Sequence, residues 1–373
     1  SGTVLNGLIK LGTADLMEDI RINGAFKIGT NLKDNEWFLN FQNLKKRIDW
    51  GLTYYRNAQS IDYPDTVTFT YLPVRNITNL YQGNISYPFD EARSIRFSTG
   101  IRVEKQAFKV IDGYTLGRPD QRQFYSISRL EYIYDNSLNP SMNIWNGLRY
   151  KIYGEYNRQL NKNTFTEGAS TFNVGFDARY YYPIFRDFIW AGRAAGDFSW
   201  GKQKFIYYLG GVDGWLMFGN NQKSDGSYRY FNESVRPAND NSYSFQSLAV
   251  NMRGFLQNVA NGNNALVINS ELRLPVFSTF FDKIPNNSFL RNFQLTQFID
   301  LGTAWNGAYN GIKRPEIVYG NINDPNTVLV KAKAGGIGPF AGGYGFGARS
   351  TLLGYFIKFD AGWPMSGFFN SKP

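Results

Sequence analysis

The sequence predicts an all-β fold, and specifically a transmembrane antiparallel β-barrel, on three observations. Runs of about ten residues alternate apolar and polar side chains, the length a tilted membrane strand requires. Aromatic residues make up 17% of the chain, with 25 Tyr, 31 Phe and 8 Trp, and Tyr and Phe crowd the apolar side of the alternation, as on the lipid-facing belt of a barrel. No run approaches the roughly 18 consecutive apolar residues of a membrane helix. The mean hydropathy of -0.38 averages over two opposite faces. A soluble sandwich is the competing all-β reading, but its inner faces favour Val, Ile and Leu over a dry core, whereas here the polar set carries many charges.

Fourteen segments carry this pattern, near 4–14, 19–30, 36–43, 47–58, 77–87, 95–110, 123–136, 147–160, 170–183, 187–200, 264–276, 292–304, 342–352 and 354–364. In the sixth, Ile95, Phe97, Ile101 and Val103 oppose Arg96, Ser98, Arg102 and Glu104. In the eighth, Leu148, Tyr150, Ile152 and Tyr156 oppose Arg149, Lys151, Glu155 and Asn157. The ninth sets Phe172, Val174, Phe176, Tyr180 and Tyr182 against Asn173, Asp177 and Arg179, and the last sets Tyr355, Ile357, Phe359 and Trp363 against Lys358 and Asp360. The charged sets read as a solvated, mutually paired lumen lining.

Two classes of connection alternate along the chain. Most on one side are compact, at 15–19, 45–47, 90–94, 185–187 and around Gly354, with longer members at 136–146 and 278–291. On the other, long polar connections lie at 59–76, 111–122, 161–170, 201–263 and 306–341, with 31–35 the one short member. Outer-membrane barrels place short turns in the periplasm and long loops outside. Both chain ends then fall on the outer side, which predicts one further strand before Ser1 and one after Pro373, sixteen in all.

The stretch from Gly201 to Trp305 draws together the residues of most interest. After a long polar excursion comes Arg253-Gly254-Phe255, then two strand-like runs. Period 2 places Val267, Asn269, Glu271 and Arg273 on one face of the first run, and Gln294, Thr296, Phe298 and Asp300 on one face of the second. Two carboxylates, Glu271 and Asp300, therefore share a side that a loop arginine can reach.

The order and spacing of several motifs resemble the BamA/TamA surface-antigen superfamily of outer-membrane assembly and two-partner-secretion barrels. They are Arg253-Gly254-Phe255, Asn269-Ser-Glu-Leu-Arg273, Phe298-Ile-Asp-Leu-Gly302, Gly345-Phe-Gly-Ala-Arg349 and Phe359-Asp-Ala-Gly-Trp-Pro364, preceded by Tyr180-Tyr-Tyr-Pro-Ile-Phe185 and Tyr208-Leu-Gly-Gly-Val-Asp-Gly214. The resemblance implies that Arg253 folds into the lumen and pairs with Glu271 and Asp300, that Gly254 lets the backbone pass close to the wall and that Phe255 packs at the loop tip, with Phe298, Gly302 and Asp360 as supporting motif residues. It further implies one outer-membrane barrel domain over 1–373, a long external loop at 201–263 entering the lumen, and N-terminal periplasmic domains not present in this chain. Trp215-Leu-Met-Phe218 and residues 220–243 resemble a branch whose barrel follows a periplasmic β-propeller. The function implied is non-enzymatic insertion or translocation of protein substrates at a seam between first and last strands, in the bacterial outer membrane. Its partners would be outer-membrane lipids, unfolded or nascent outer-membrane or secreted proteins, and periplasmic or lipoprotein accessory subunits. A barrel that anchors or exports its own soluble domain, or a passive porin, is the alternative.

Inventory argues against catalysis. With no His and no Cys, Ser-His and Cys-His pairs, thiolate sites and ordinary zinc sites cannot be built, and no catalytic residue, metal or cofactor is expected. An arginine beside Glu271 and Asp300 keeps both ionised, the opposite of raising one to a general acid. The glycine-rich stretch 335–347 lacks the Gly-Lys-Ser/Thr ending of a phosphate loop and reads as kinks at a barrel rim. The excess of 40 Lys and Arg over 30 Asp and Glu comes without a nucleic-acid-binding motif, so no nucleic-acid partner is expected.

Overall fold

The computed structural model describes residues 7–28, 34–64, 71–108, 117, 119–161, 169–211, 235, 237, 243–248, 251–283, 285–308, 312–319 and 328–365. Fourteen long strands lie where the alternation predicts them: β1 (Gly7–Ala14), β2 (Ile20–Ile28), β3 (Asn35–Asn43), β4 (Asp49–Pro64), β5 (Tyr71–Pro88), β6 (Arg93–Phe108), β7 (Gln121–Asp135), β8 (Ile144–Gln159), β9 (Ser170–Phe185), β10 (Phe188–Gly201), β11 (Asn264–Pro275), β12 (Gln294–Trp305), β13 (Phe340–Leu352) and β14 (Tyr355–Pro364). They form one sheet in which each long strand neighbours the next in sequence. Among the described residues β1 pairs with β2 alone and β14 with β13 alone, apart from the short strand Gly336–Ile337 beside β13.

That sheet counts sixteen strands, but its two additional members are the short strands Leu138–Ser141 and Gly336–Ile337. They are not the flanking pair expected from the sequence; both fold back on a neighbouring long strand as hairpin extensions. Residues 366–373, the approach to the expected last strand, lie outside the described residues, as do 215–218 and most of 220–243. No helix among the described residues is long and apolar enough to cross a membrane.

Contact density divides the chain into two compact units, one of Ser1–Ile133 with Tyr153–Phe172 and one of Tyr134–Ile152 with Asn173–Pro373. In the first, the apolar members of the alternation are turned outward: Leu52, Tyr81, Ile85, Phe97 and Ile101 are all exposed. Tyr54 and Tyr81, opposite each other on β4 and β5, pair their rings at 5.1 Å. The other face is polar, with Arg129 reaching Glu131 at 2.7 Å and Glu155 at 2.9 Å. β4 and β5 run farther than the alternation predicts, to Pro64 and from Tyr71. Their polar extension zips through cross-strand pairs such as Ile61 with Val74, a tertiary gain that a polar composition conceals.

In the second unit the same alternation exposes Phe172's successors on β9, Val174, Tyr180 and Tyr182, together with Ile357, Phe359 and Trp363 on β14. Tight turns fix the registers. Leu353 and Gly354, both at positive φ (50° and 81°), close β13 and β14 as a two-residue hairpin, the left-handed pair whose twist matches the strands. The connection from β11 to β12 holds two short helices, α1 (Val276–Phe280) and α2 (Ser288–Arg291). Asn287 caps α2 by accepting from the Phe289 amide at 2.8 Å.

The excursion from 201 to 263 is not only polar. Lys204–Leu209 continues as the centre of a small three-stranded sheet between Tyr243–Leu248 and Ala260–Gly262. Tyr207, Leu209, Met252, Phe255, Val259 and Ala260 form one buried cluster with Ala265, Val267 and Ala341 of the wall. The returning limb is tied by Met252 N–H to the Gly210 carbonyl (2.9 Å) and by Val259 N–H to the Leu209 carbonyl (2.7 Å).

Candidate functional site

Three wall strands converge on the Arg253 side chain. β11 and β12 pair so that Asn269 faces Asp300 and Glu271 faces Phe298, while β13 and β14 set Gly347 against Asp360. The period-2 arithmetic then points Glu271, Phe298, Asp300 and Asp360 to one side. Asp300 is fully buried, and Glu271 is buried too.

The Arg253 guanidinium grips Asp300 as a fork, Nε to Oδ2 at 2.8 Å and NH2 to Oδ1 at 3.0 Å, and the Arg253 backbone amide donates to the same carboxylate at 3.0 Å. Its NH1 donates to Glu271 at 2.7 Å and reaches Asp360 at 3.4 Å. The plane of the guanidinium lies over the Phe298 ring, 3.5 Å from its centroid, so a cation–π contact closes the remaining face. Such forks are the strong form of ion pair, because both geometry and charge are used. Asn269 supplies another donor to Asp300 at 2.8 Å.

The sequence reading missed two partners of this cluster. Arg349, itself buried, holds Glu271 from the other side through NH1 at 2.7 Å and NH2 at 2.8 Å, and Arg273 donates its Nε to Glu271 at 2.7 Å. Three guanidinium groups (Arg253, Arg273, Arg349) thus meet three carboxylates (Glu271, Asp300, Asp360), with the Lys358 ammonium also within electrostatic reach of Glu271 and Asp360. The signal for Arg349 was present, since positions 345, 347 and 349 of β13 share one face; what the alternation does not supply is the partner across two strands.

Backbone approach explains the glycines. Gly254 sits at φ 93°, and a Cβ on it would stand 2.7 Å from the Trp363 carbonyl oxygen of β14. Opposite it, a Cβ on Gly362 would meet the Gly254 amide nitrogen at 2.9 Å, and one on Gly343 would collide with the Arg253 carbonyl. The Arg-Gly-Phe triplet therefore lies backbone to backbone on β13 and β14. This revises the rim-kink reading of the glycine-rich stretch: Gly338, at positive φ, sits in the tight turn that follows the short strand Gly336–Ile337, whereas Gly343, Gly345 and Gly347 lie within regular β13 and clear room for the loop, the Phe298 ring and Asp360. Gly302 does the same beneath Met252 and Leu209. Phe255 packs in the buried loop–wall cluster with Met252, Leu209 and Ala341.

No protein-family model matches the sequence, and no curated protein matches it. Solved structures do. The barrel of BamA from Haemophilus ducreyi, in a form lacking POTRA domains 1–3, superposes with a TM-score of 0.55 at 12% identity over 99% of this chain and 65% of that one. CdiB from Acinetobacter baumannii superposes with a TM-score of 0.50 at 12% identity over 96% of this chain and 53% of that one. The chain has the fold of the BamA and CdiB barrels. It spans about two thirds of the length of that BamA chain, at 65%, and about half of the CdiB chain, at 53%. At this identity the shared property is the β-barrel fold; the apolar faces of the strands are exposed, and the Arg253 cluster lies on the opposite, polar face.

Proposed function

We propose that this BamA/CdiB-type barrel inserts or translocates protein substrates in the bacterial outer membrane without enzymatic chemistry, and that the loop carrying Arg253 is the latch that holds it in a plugged resting state. The observation that carries this reading is the Arg253 fork on Asp300 and Glu271, made by a loop whose backbone is bedded on β13 and β14. A single buried fork of this kind typically loses about 3–5 kcal/mol when one partner is removed, enough to keep a loop in place until a substrate offers something better.

The seam is the second element. We place it between the first and last strands of the barrel, because an unpaired strand edge is a template for a further strand. A substrate strand joining there would gain main-chain hydrogen bonds by β-augmentation, while the latch preserves the shape of the wall beside it. Lipids, unfolded outer-membrane or secreted proteins and periplasmic or lipoprotein subunits are the partners this mechanism needs.

Reconstitution tests the reading. In planar bilayers the wild-type chain should give small, flickering currents and the Arg253→Glu variant larger ones. In vesicles, folding of an added unfolded outer-membrane protein should be accelerated by the wild type and much less by Arg253→Glu, with Asp300→Arg in the same chain restoring part of the activity. A large steady pore in the wild type, or full acceleration by the single variant, would refute it.

A further inference from the structure

The connection from β7 to β8 stands apart from its neighbours on the turn side of the second unit. Where Leu353–Gly354 closes a hairpin in two residues, this one continues past Asp135 as the short strand Leu138–Ser141, which pairs back on β8 through Leu138 with Asn146 and Ser141 with Ile144. Its root is fixed by Asn136, which donates its amide to the Leu148 carbonyl (3.1 Å) and accepts from the Leu148 amide (2.8 Å). Gly147, at φ 107°, supplies the bend.

The hairpin tip is docked on strands far away in sequence. Gln294 of β12, almost fully buried, donates to the Met142 carbonyl at 2.6 Å and accepts from the Asn143 side chain at 3.0 Å. Arg273 of β11 donates NH1 to the Asn143 carbonyl at 2.9 Å, and Thr351 of β13 donates to the Met142 sulfur at 3.1 Å. Asn143 takes the left-handed conformation (φ 62°) that presents both groups. Three wall strands thus receive one turn, and Ile144 behind it is buried with Tyr181, Ile189 and Ala191.

Arg273 is shared. While one nitrogen holds the hairpin, its Nε holds Glu271 (2.7 Å), whose other oxygen accepts from Arg253 (2.7 Å). An unbroken series of charge-assisted contacts therefore joins the tip of a turn-side hairpin to the loop that enters from the opposite ends of the strands. We propose that the Leu138–Ile144 hairpin is a second plug, closing the polar face from the turn side, and that Arg273 is the positioning residue coupling its release to that of the Arg253 loop. This rests on the reading of that loop as a latch. The sign of the coupling follows from charge. Arg253, Arg273, Arg349 and, at longer range, Lys358 face Glu271, Asp300 and Asp360; when Arg253 withdraws the acids lose a forked donor, and Arg273 is drawn onto the carboxylates and away from the neutral Asn143 carbonyl, because a carboxylate is the stronger acceptor. Reciprocity then requires that loosening the hairpin loosen the loop.

Amide hydrogen exchange on the full chain in a lipid nanodisc tests this without any substrate. Gln294→Ala removes the two contacts to the hairpin tip and touches neither Arg253 nor its acids. It should speed exchange about tenfold at 138–144, as loss of roughly one net hydrogen bond implies, and severalfold at 251–258. In an Arg273→Lys background, where an ammonium keeps a charge beside Glu271 but lacks the fork that spans both partners, Gln294→Ala should still speed the hairpin and leave 251–258 unchanged. Unaltered hairpin exchange in Gln294→Ala would overturn the plug, and a loop that never responds would overturn the coupling. Since a substituted wall strand can fail to assemble, a second chain in which Leu138–Asn143 is replaced by Asn-Gly should show at least about a twofold larger single-channel conductance; an unchanged conductance also overturns the plug. Failure of substrate insertion with the exchange coupling intact would count against the proposed function and not against this inference.

Discussion

The polar faces of the two compact units are written in the same alternation yet stabilised in different ways. In the first unit, polar side chains pair with neighbours on the same or the adjacent strand: Arg129 with Glu131 and Glu155, Arg102 with Glu104, and Tyr55 with Glu36. All of these remain partly exposed. In the second, the polar face is covered by a loop from the chain itself, and the ion pairs at Glu271 and Asp300 are buried beneath it. Period 2 decides which side a residue faces; what covers that side decides how much a charge there matters.

The largest expected effect breaks the second unit directly. Arg253→Glu would put a fourth carboxylate among Glu271, Asp300 and Asp360, so it should cost more than the roughly 3–5 kcal/mol of simply removing a buried partner. Unfolding in detergent should begin at a markedly lower denaturant concentration, with 251–258 exchanging freely. A transition superimposable on wild type would mean that the loop contributes little to holding the wall. Next in size is Glu271→Gln, which leaves Arg253, Arg273 and Arg349 sharing two acids instead of three; about 3 kcal/mol is the expected loss, read from the same transition. Gly254→Ala should follow at about 1–3 kcal/mol, because a methyl group there meets the β14 backbone while every charge stays in place. If Gly254→Ala proved neutral, the backbone bed of β13 and β14 would not be what positions the triplet.

How much of this was legible beforehand divides along the same line. All fourteen long strands and their faces were readable, because a half-wet strand repeats every two residues and Tyr-rich outer faces are unusual for a dry core. Glu271, Phe298 and Asp300 fell on one face by that arithmetic. Arg253 could not be placed this way, since a loop has no period, and only the resemblance of its motif drew it toward the two acids. Arg349 lies within a recognisable motif, but its partner Glu271 is 78 residues away, and cross-sheet pairing is invisible to local pattern. The docked hairpin at 138–144 looks in sequence like a longer turn for the same reason: nothing in Leu138–Ser141 names Gln294 as its receptor. The extended ends of β4 and β5 were missed because their polar composition looks like loop.

The smallest effect is the most discriminating. Glu155→Gln in the first unit removes an acid that touches Arg129 at 2.9 Å, almost the spacing of the Arg253 contacts, and distance alone would rank the two sites together. Arg129 keeps Glu131, and both it and Glu155 retain access to water, which screens the pair and solvates what is left behind. The pair is part-buried, the guanidinium 30% and the carboxylate 14% exposed against 8% for Glu271 and 0% for Asp300, so the expected loss is about 1–2 kcal/mol, between that of an exposed and of a buried pair. Measured beside Glu271→Gln in the same detergent, it should shift the unfolding transition measurably less. Equal shifts would show that the covering loop adds nothing to the strength of the charges beneath it, and the contrast between the two faces would collapse to their chemistry alone.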